Sequence, residues 1–153
     1  MEAFQPGTVT AMTPTIERYR EHLAAGRLED AFQVAWPEGS EENGLFLRLE
    51  DAGAYGLLRQ LAEPFLHVEC RTQTRMSQRQ FILAQFLGRA LSSLGDLAGA
   101  RATHLAALEG YEHFGRAQRE PSLFLALASL ELGDITGFLH WTRFLSQRGR
   151  RTW

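Results

Sequence analysis

Residues 86–99 and 124–137 carry the same pattern, displaced by 38 residues. Phe86 recurs as Phe124, Leu87 as Leu125 and Ala90 as Ala128. Leu94-Gly95-Asp96-Leu97-x-Gly99 recurs as Leu132-Gly133-Asp134-Ile135-x-Gly137. A repeat of this length is one supersecondary unit that cannot bury its apolar face alone and stacks on its own copy. Nothing in the chain alternates with period two, so no sheet is expected. The pattern predicts an all-α stack of antiparallel helical hairpins with about 6–8 helices, non-catalytic and built to bind.

Local signals place the elements. Gly95 suits the left-handed position after a helix, and Asp96 is then placed to cap the next one; Gly133-Asp134 repeats the arrangement. The string Gly26-x-Leu28-x-x-Ala31 echoes Gly95-x-Leu97-x-x-Ala100 as an earlier copy. Thr13-Pro14 opens a helix that runs to Gly26, and its partner runs from Leu28 to just before Pro37. A second pair spans 41–51 and 54–68, started by Ser40-Glu41-Glu42, broken at Gly53 and disturbed at Pro64. Ser77-x-x-Gln80 has capping-box form and starts the helix that ends at Gly95. The next helix, Leu97 to Phe114, places Leu97, Ala100, His104 and Ala107 near one stripe, and Glu120-Pro121 starts the last pair. The expected organisation is a flexible lead-in over 1–12, a single helical-repeat domain over 13–147 and a basic tail over 148–153.

Composition narrows the function classes. The net charge of −2 hides an asymmetry: residues 1–70 hold 12 acidic and 5 basic side chains, residues 71–153 hold 6 and 11, and all sixteen basic residues are arginine. Such a gradient can orient a partner or set two copies head to tail. One cysteine, Cys70, excludes an intrachain disulfide and fits a reducing compartment. Met1 to Gly7 has neither a basic nor an apolar leader segment, and no apolar run reaches the ~20 residues of a membrane span, so the expected address is cytoplasmic with no membrane partner. His67-x-x-Cys70 lacks a second ligand pair, and Glu109-x-x-x-His113 lacks the doubled motif of a dinuclear carboxylate bundle. No glycine follows a strand or precedes a Lys-Ser/Thr pair, so no phosphate loop is present. No catalytic residue, metal or cofactor is expected.

Gly88, Ala100 and Ala107 carry a resemblance. The hairpin over 81–114 resembles a tetratricopeptide repeat, which keeps a small residue midway in its first helix and two alanines on its second where the helices cross closely. The last pair matches at Ala126, with Phe138 and Leu145 where Ala100 and Ala107 stand. His104 occupies the place between the two alanines that is usually aromatic, and the period of 38 is similar to the divergent repeats in the arms of bacterial transcription regulators. The resemblance implies a right-handed stack in the bacterial cytoplasm, whose concave face, lined by first helices, holds an extended peptide or a partner helix. That face would present Gln85, Arg89 and Ser92 from one hairpin and Leu123, Leu127 and Leu130 from the next. A guanidinium beside an amide and a hydroxyl can fork onto a carboxylate, and leucines can hold apolar anchors.

Two further surfaces stand out. In the final helix Ile135, Phe138, Leu139, Thr142 and Leu145 form one stripe, whereas Trp141 and Phe144 lie beside it. They either meet a second copy of the chain, making a homodimer about a two-fold axis, or fold back on the preceding hairpin. Arg71, Arg75 and Arg79 recur every fourth residue and, with Arg143, Arg148, Arg150 and Arg151, allow an alternative: a nucleic-acid-associated regulatory or repair accessory factor. Of this set, Arg75 and Arg79 are the candidate contacts to an anionic partner.

Overall fold

A computed structural model describes residues 6–37, 44–70, 78–110, 125, 127 and 129–149, and among these every regular element is a helix. In chain order they are α1 (Pro6–Ala11), α2 (Thr13–Ala24), α3 (Leu28–Ala35), α4 (Leu45–Asp51), α5 (Tyr55–Cys70), α6 (Gln78–Ser93), α7 (Leu97–Gly110) and α8 (Ile135–Gly149). Leu125, Leu127 and 129–131 are helical as well and lead into the turn before α8.

One turn geometry recurs at four places. Gly26, Gly53, Gly95 and Gly133 all have left-handed backbone, with φ between +71° and +86°. At each, the residue after the glycine donates its N–H back to the carbonyl five positions earlier: Arg27 to His22, Ala54 to Leu49, Asp96 to Leu91 and Asp134 to Ser129, at 2.8–2.9 Å. Each glycine N–H reaches the carbonyl three positions earlier, and together these bonds satisfy the last carbonyls of the incoming helix. The four turns join α2 to α3, α4 to α5, α6 to α7 and the 125–131 segment to α8.

The last two turns add a carboxylate cap. Asp96 Oδ1 accepts from the Gly99 N–H and Asp134 Oδ1 from the Gly137 N–H, both at 2.9 Å. A Cβ on Gly99 or Gly137 would lie 2.4 Å from the Oδ2 of the capping aspartate, so the glycine of the repeated motif makes room for the carboxylate. Asp134 also holds Arg101 of α7 at 2.9 Å, tying the third hairpin to the fourth turn. Asp96→Ala should cost about 1 kcal/mol of stability as a lost cap, and Asp134→Ala a few tenths more because a half-exposed ion pair goes with it; urea melts of the two variants check the order.

The chain divides into two compact units, Met1–Thr72 and Gln73–Trp153, where the sequence suggested a single domain over 13–147. The boundary falls beside the change in charge: the first unit has 12 acidic and 6 basic residues, net −6, and the second 6 and 10, net +4. In the first unit α1 packs on α2, α2 on α3, α3 on α4 and α4 on α5. Tyr19 of α2 is buried at its centre, its ring tilted on Phe46 of α4 at 5.5 Å and its hydroxyl donating to the Leu61 carbonyl of α5 at 2.8 Å. Burial holds the Tyr19 phenol protonated well above its ordinary range.

Two expectations for this unit need correction, at α1 and at the start of α4. Residues 6–11, read as part of a flexible lead-in, form α1, and Met12 behind it is fully buried. Six residues are too few to show a helical period, and the burial of Met12 supplies what local pattern does not. The helix expected over 54–68 is α5, Tyr55–Cys70, which continues through Pro64; the proline is on the exposed side, where the carbonyl it leaves unpaired can face water. α4 begins at Leu45 after Gly44, not at 41; the proposed start at Ser40 to Glu42 lies outside the described residues. The same is true of Ser77 in the proposed capping box and of the last pair's start at Glu120-Pro121.

Candidate binding groove

The second unit is built on the crossing of α6 and α7. Residues 85, 88, 89 and 92 stand at i, i+3, i+4 and i+7 on α6, so they share one side of that helix. Gly88 is the point of closest approach. A Cβ there would lie 2.4 Å from Cε1 of His104, so the imidazole occupies the space that a side chain would take. Ala100 and Ala107, one turn to either side of His104, are fully buried at the same seam. The small-residue contact read from the sequence is present, and a histidine fills it.

His104 is only 1 % exposed and Gln85 4 %. The Gln85 Oε1 can only accept, so the His104 Nδ1, 3.2 Å away, carries the proton and donates it. Gln85 Nε2 is buried with no partner, a cost the seam bears in full. One turn beyond Gln85, the Arg89 guanidinium lies over the Phe86 ring, 4.6 Å from its centre. Burial first, and then the positive charge of Arg89, lowers the His104 pKa to about 4, so the imidazole is neutral at physiological pH.

Above this seam is an open cavity of about 210 Å³. It is lined by Arg89, Ser92 and Ser93 of α6, Ala100 and His104 of α7, and Leu127 and Glu131 of the segment before α8. A guanidinium, two hydroxyls, a neutral imidazole, a carboxylate and a leucine therefore converge on one space. Such a set can orient a polar group by hydrogen bonds and hold an apolar group beside it.

The structure brings together Arg89, Ser92 and Leu127 from the expected concave face. Leu130 lies one turn beyond Leu127 and is 46 % exposed, outside the lining of the cavity. Gln85 is a correction: it was expected in the groove and is instead buried against His104, because position 85 is one turn from Gly88 and turns with it toward α7. Leu123 lies outside the described residues. Arg79 is half-buried on α6, while Arg71 and Arg75 lie outside the described residues. Trp141 is half-buried on α8 with its ring edge-on to His140 at 4.8 Å, and the side chain of Phe144 lies outside the described residues.

Sequence reasoning missed Ser93, Glu131 and the role of His104. The usable signal was a ring-sized residue in the middle of the α7 apolar stripe, facing a glycine in the middle of α6. His67 is exposed near the end of α5, and among the described residues no group of three His, Cys, Asp or Glu is arranged to hold a metal ion. No helix among them is long and apolar enough to cross a membrane. No known family model, curated protein or solved structure matches the chain.

Proposed function

We propose that the unit Gln73–Trp153 is a non-catalytic, tetratricopeptide-like protein-binding module that holds a peptide or partner helix in the groove between α6 and the 125–131 segment. The observation that supports this most is the lining of the cavity. Arg89, over the Phe86 ring, lines with Ser92, Ser93 and Leu127 a cavity open to solvent. A carboxylate would satisfy the guanidinium and the hydroxyls, and an aliphatic side chain the leucine.

Tagged protein captured from its native cell, wild type against Arg89→Glu and Leu127→Asp, tests the reading. Both substitutions should reduce recovery of the same partner about tenfold or more, a loss of roughly 1.4 kcal/mol, with no change in the thermal melt. Undiminished capture by both variants would remove the groove from the function.

The net charge of +4 on this unit favours one second reading, contact with nucleic acid. Retention of nucleic acid that falls steeply with salt, and falls again in Arg75→Glu with Arg79→Glu, would establish that reading instead.

A further inference from the structure

The lining of the cavity carries two formal charges of opposite sign. Arg89 supplies one and Glu131 the other, while the His104 imidazole is neutral at physiological pH. The two charges form no ion pair with each other, and Glu131 is exposed. Arg89 has contacts of its own, the Phe86 ring among them, but a guanidinium has more N–H donors than such contacts use. Beside the charges stand the hydroxyls of Ser92 and Ser93 and the apolar side chains of Ala100 and Leu127.

A ligand with one charge answers one of these groups and meets the other as a like charge. An acidic group would meet Glu131, and a basic group Arg89. A zwitterion answers both.

Size narrows the class further. A closed apolar cavity of about 150 Å³ takes one benzene, so about 210 Å³ holds about eight or nine heavy atoms, the size of valine or leucine. That is below the roughly 300 Å³ at which pockets for larger small molecules begin. In an aliphatic amino acid a carboxylate, an ammonium and a branched apolar chain stand on one carbon. The cavity gathers their three complements: the guanidinium with two hydroxyls, the carboxylate, and the leucine with the alanine.

We propose that this cavity binds a free α-amino acid of valine or leucine size, its carboxylate on Arg89, Ser92 and Ser93, its ammonium on Glu131 and its side chain on Leu127 and Ala100. An amino acid so placed excludes a peptide from the same space and makes the module responsive to a metabolite. That competition rests on reading the groove as a protein-binding site.

The test is calorimetric titration of the full chain with L-leucine, N-acetyl-leucine, leucinamide and glycine, which lack in turn nothing, the ammonium, the carboxylate and the side chain. Leucine should bind saturably, and each of the others about tenfold more weakly or worse. Glu131→Gln should erase the preference for leucine over N-acetyl-leucine, and Arg89→Gln the preference over leucinamide, with no change in the thermal melt. Should Arg89→Gln lower the melt, Glu131→Gln, at an exposed position, decides alone. Three results would overturn the proposal: no saturable binding of leucine, equal affinity for leucine and N-acetyl-leucine, or preferences untouched by Glu131→Gln. If cellular capture depends on Arg89 and Leu127 while leucine does not bind, the protein-binding module stands and the amino-acid site falls. If leucine binds as expected while capture ignores Arg89→Glu and Leu127→Asp, the amino-acid site stands and the protein-binding reading falls.

Discussion

Gly88→Leu should destabilise the protein by about 3 kcal/mol, and His104→Ala in the same chain should recover at least half of that loss. The Cβ alone would lie 2.4 Å from a buried ring hydrogen-bonded to Gln85, so the ring must leave its place and that bond. Gly88→Ala separates two opposing effects. Alanine gains about 1 kcal/mol of helix propensity over glycine and loses about 2 to the clash, so a net loss near 1 is expected. In the double variant the leucine enters the space the imidazole leaves, exchanging knob and hole across the same seam. Denaturant melts of the four chains of the cycle measure the coupling directly. A Gly88→Leu chain as stable as wild type, or a double variant no better than the sum of its parts, would show that His104 does not fill this place.

Acid should weaken the protein through the same imidazole. The folded state holds the His104 pKa near 4, below its ordinary 6.5, so between these values the unfolded chain binds the proton that the folded chain refuses. The contribution of His104 is therefore complete above about pH 6.5. It declines as the pH falls toward 4 and levels off below that, with a total near 3 kcal/mol. Carboxylates titrate over part of this range, so the measurement is a difference: the pH profile of stability for wild type minus that for His104→Gln, which keeps a donor for Gln85 and cannot charge. A flat difference between pH 7 and 4 would contradict the assignment.

Both results turn on a contact that was half visible in the sequence. A glycine in the middle of α6, with Ala100 and Ala107 on α7, was legible because close helix crossings demand small residues at helical spacing. Which side chain would fill the gap was decided by the crossing, and the sequence signals it only as a ring-sized residue, His104, between the two alanines of α7. The turns were more legible. A left-handed residue followed by a carboxylate cap is local chemistry within a few positions, and Gly95-Asp96 and Gly133-Asp134 form it as written.

The groove shows the opposite case. The repeat register placed Arg89, Ser92 and Leu127 on one face, where the cavity brings them together, yet it placed Gln85 there too. A register assigns a position to a face only to within the width of a side chain, and the hydrogen bond to His104 draws Gln85 inward. Likewise α1 is too short to announce itself. The division near residue 72 appeared in the sequence only as a shift of charge, because charge tracks surface and the hairpin pattern runs through both units.

Asp134 makes two bonds with one carboxylate, closing the last turn through Gly137 and gripping Arg101 on the hairpin before it. The last turn and its contact with α7 thus draw on a single group. Misfolding of that turn would loosen the junction, and slippage at the junction would strain the turn. The turn before α8 is thereby coupled to α7, so that a disturbance of one would be felt at the other.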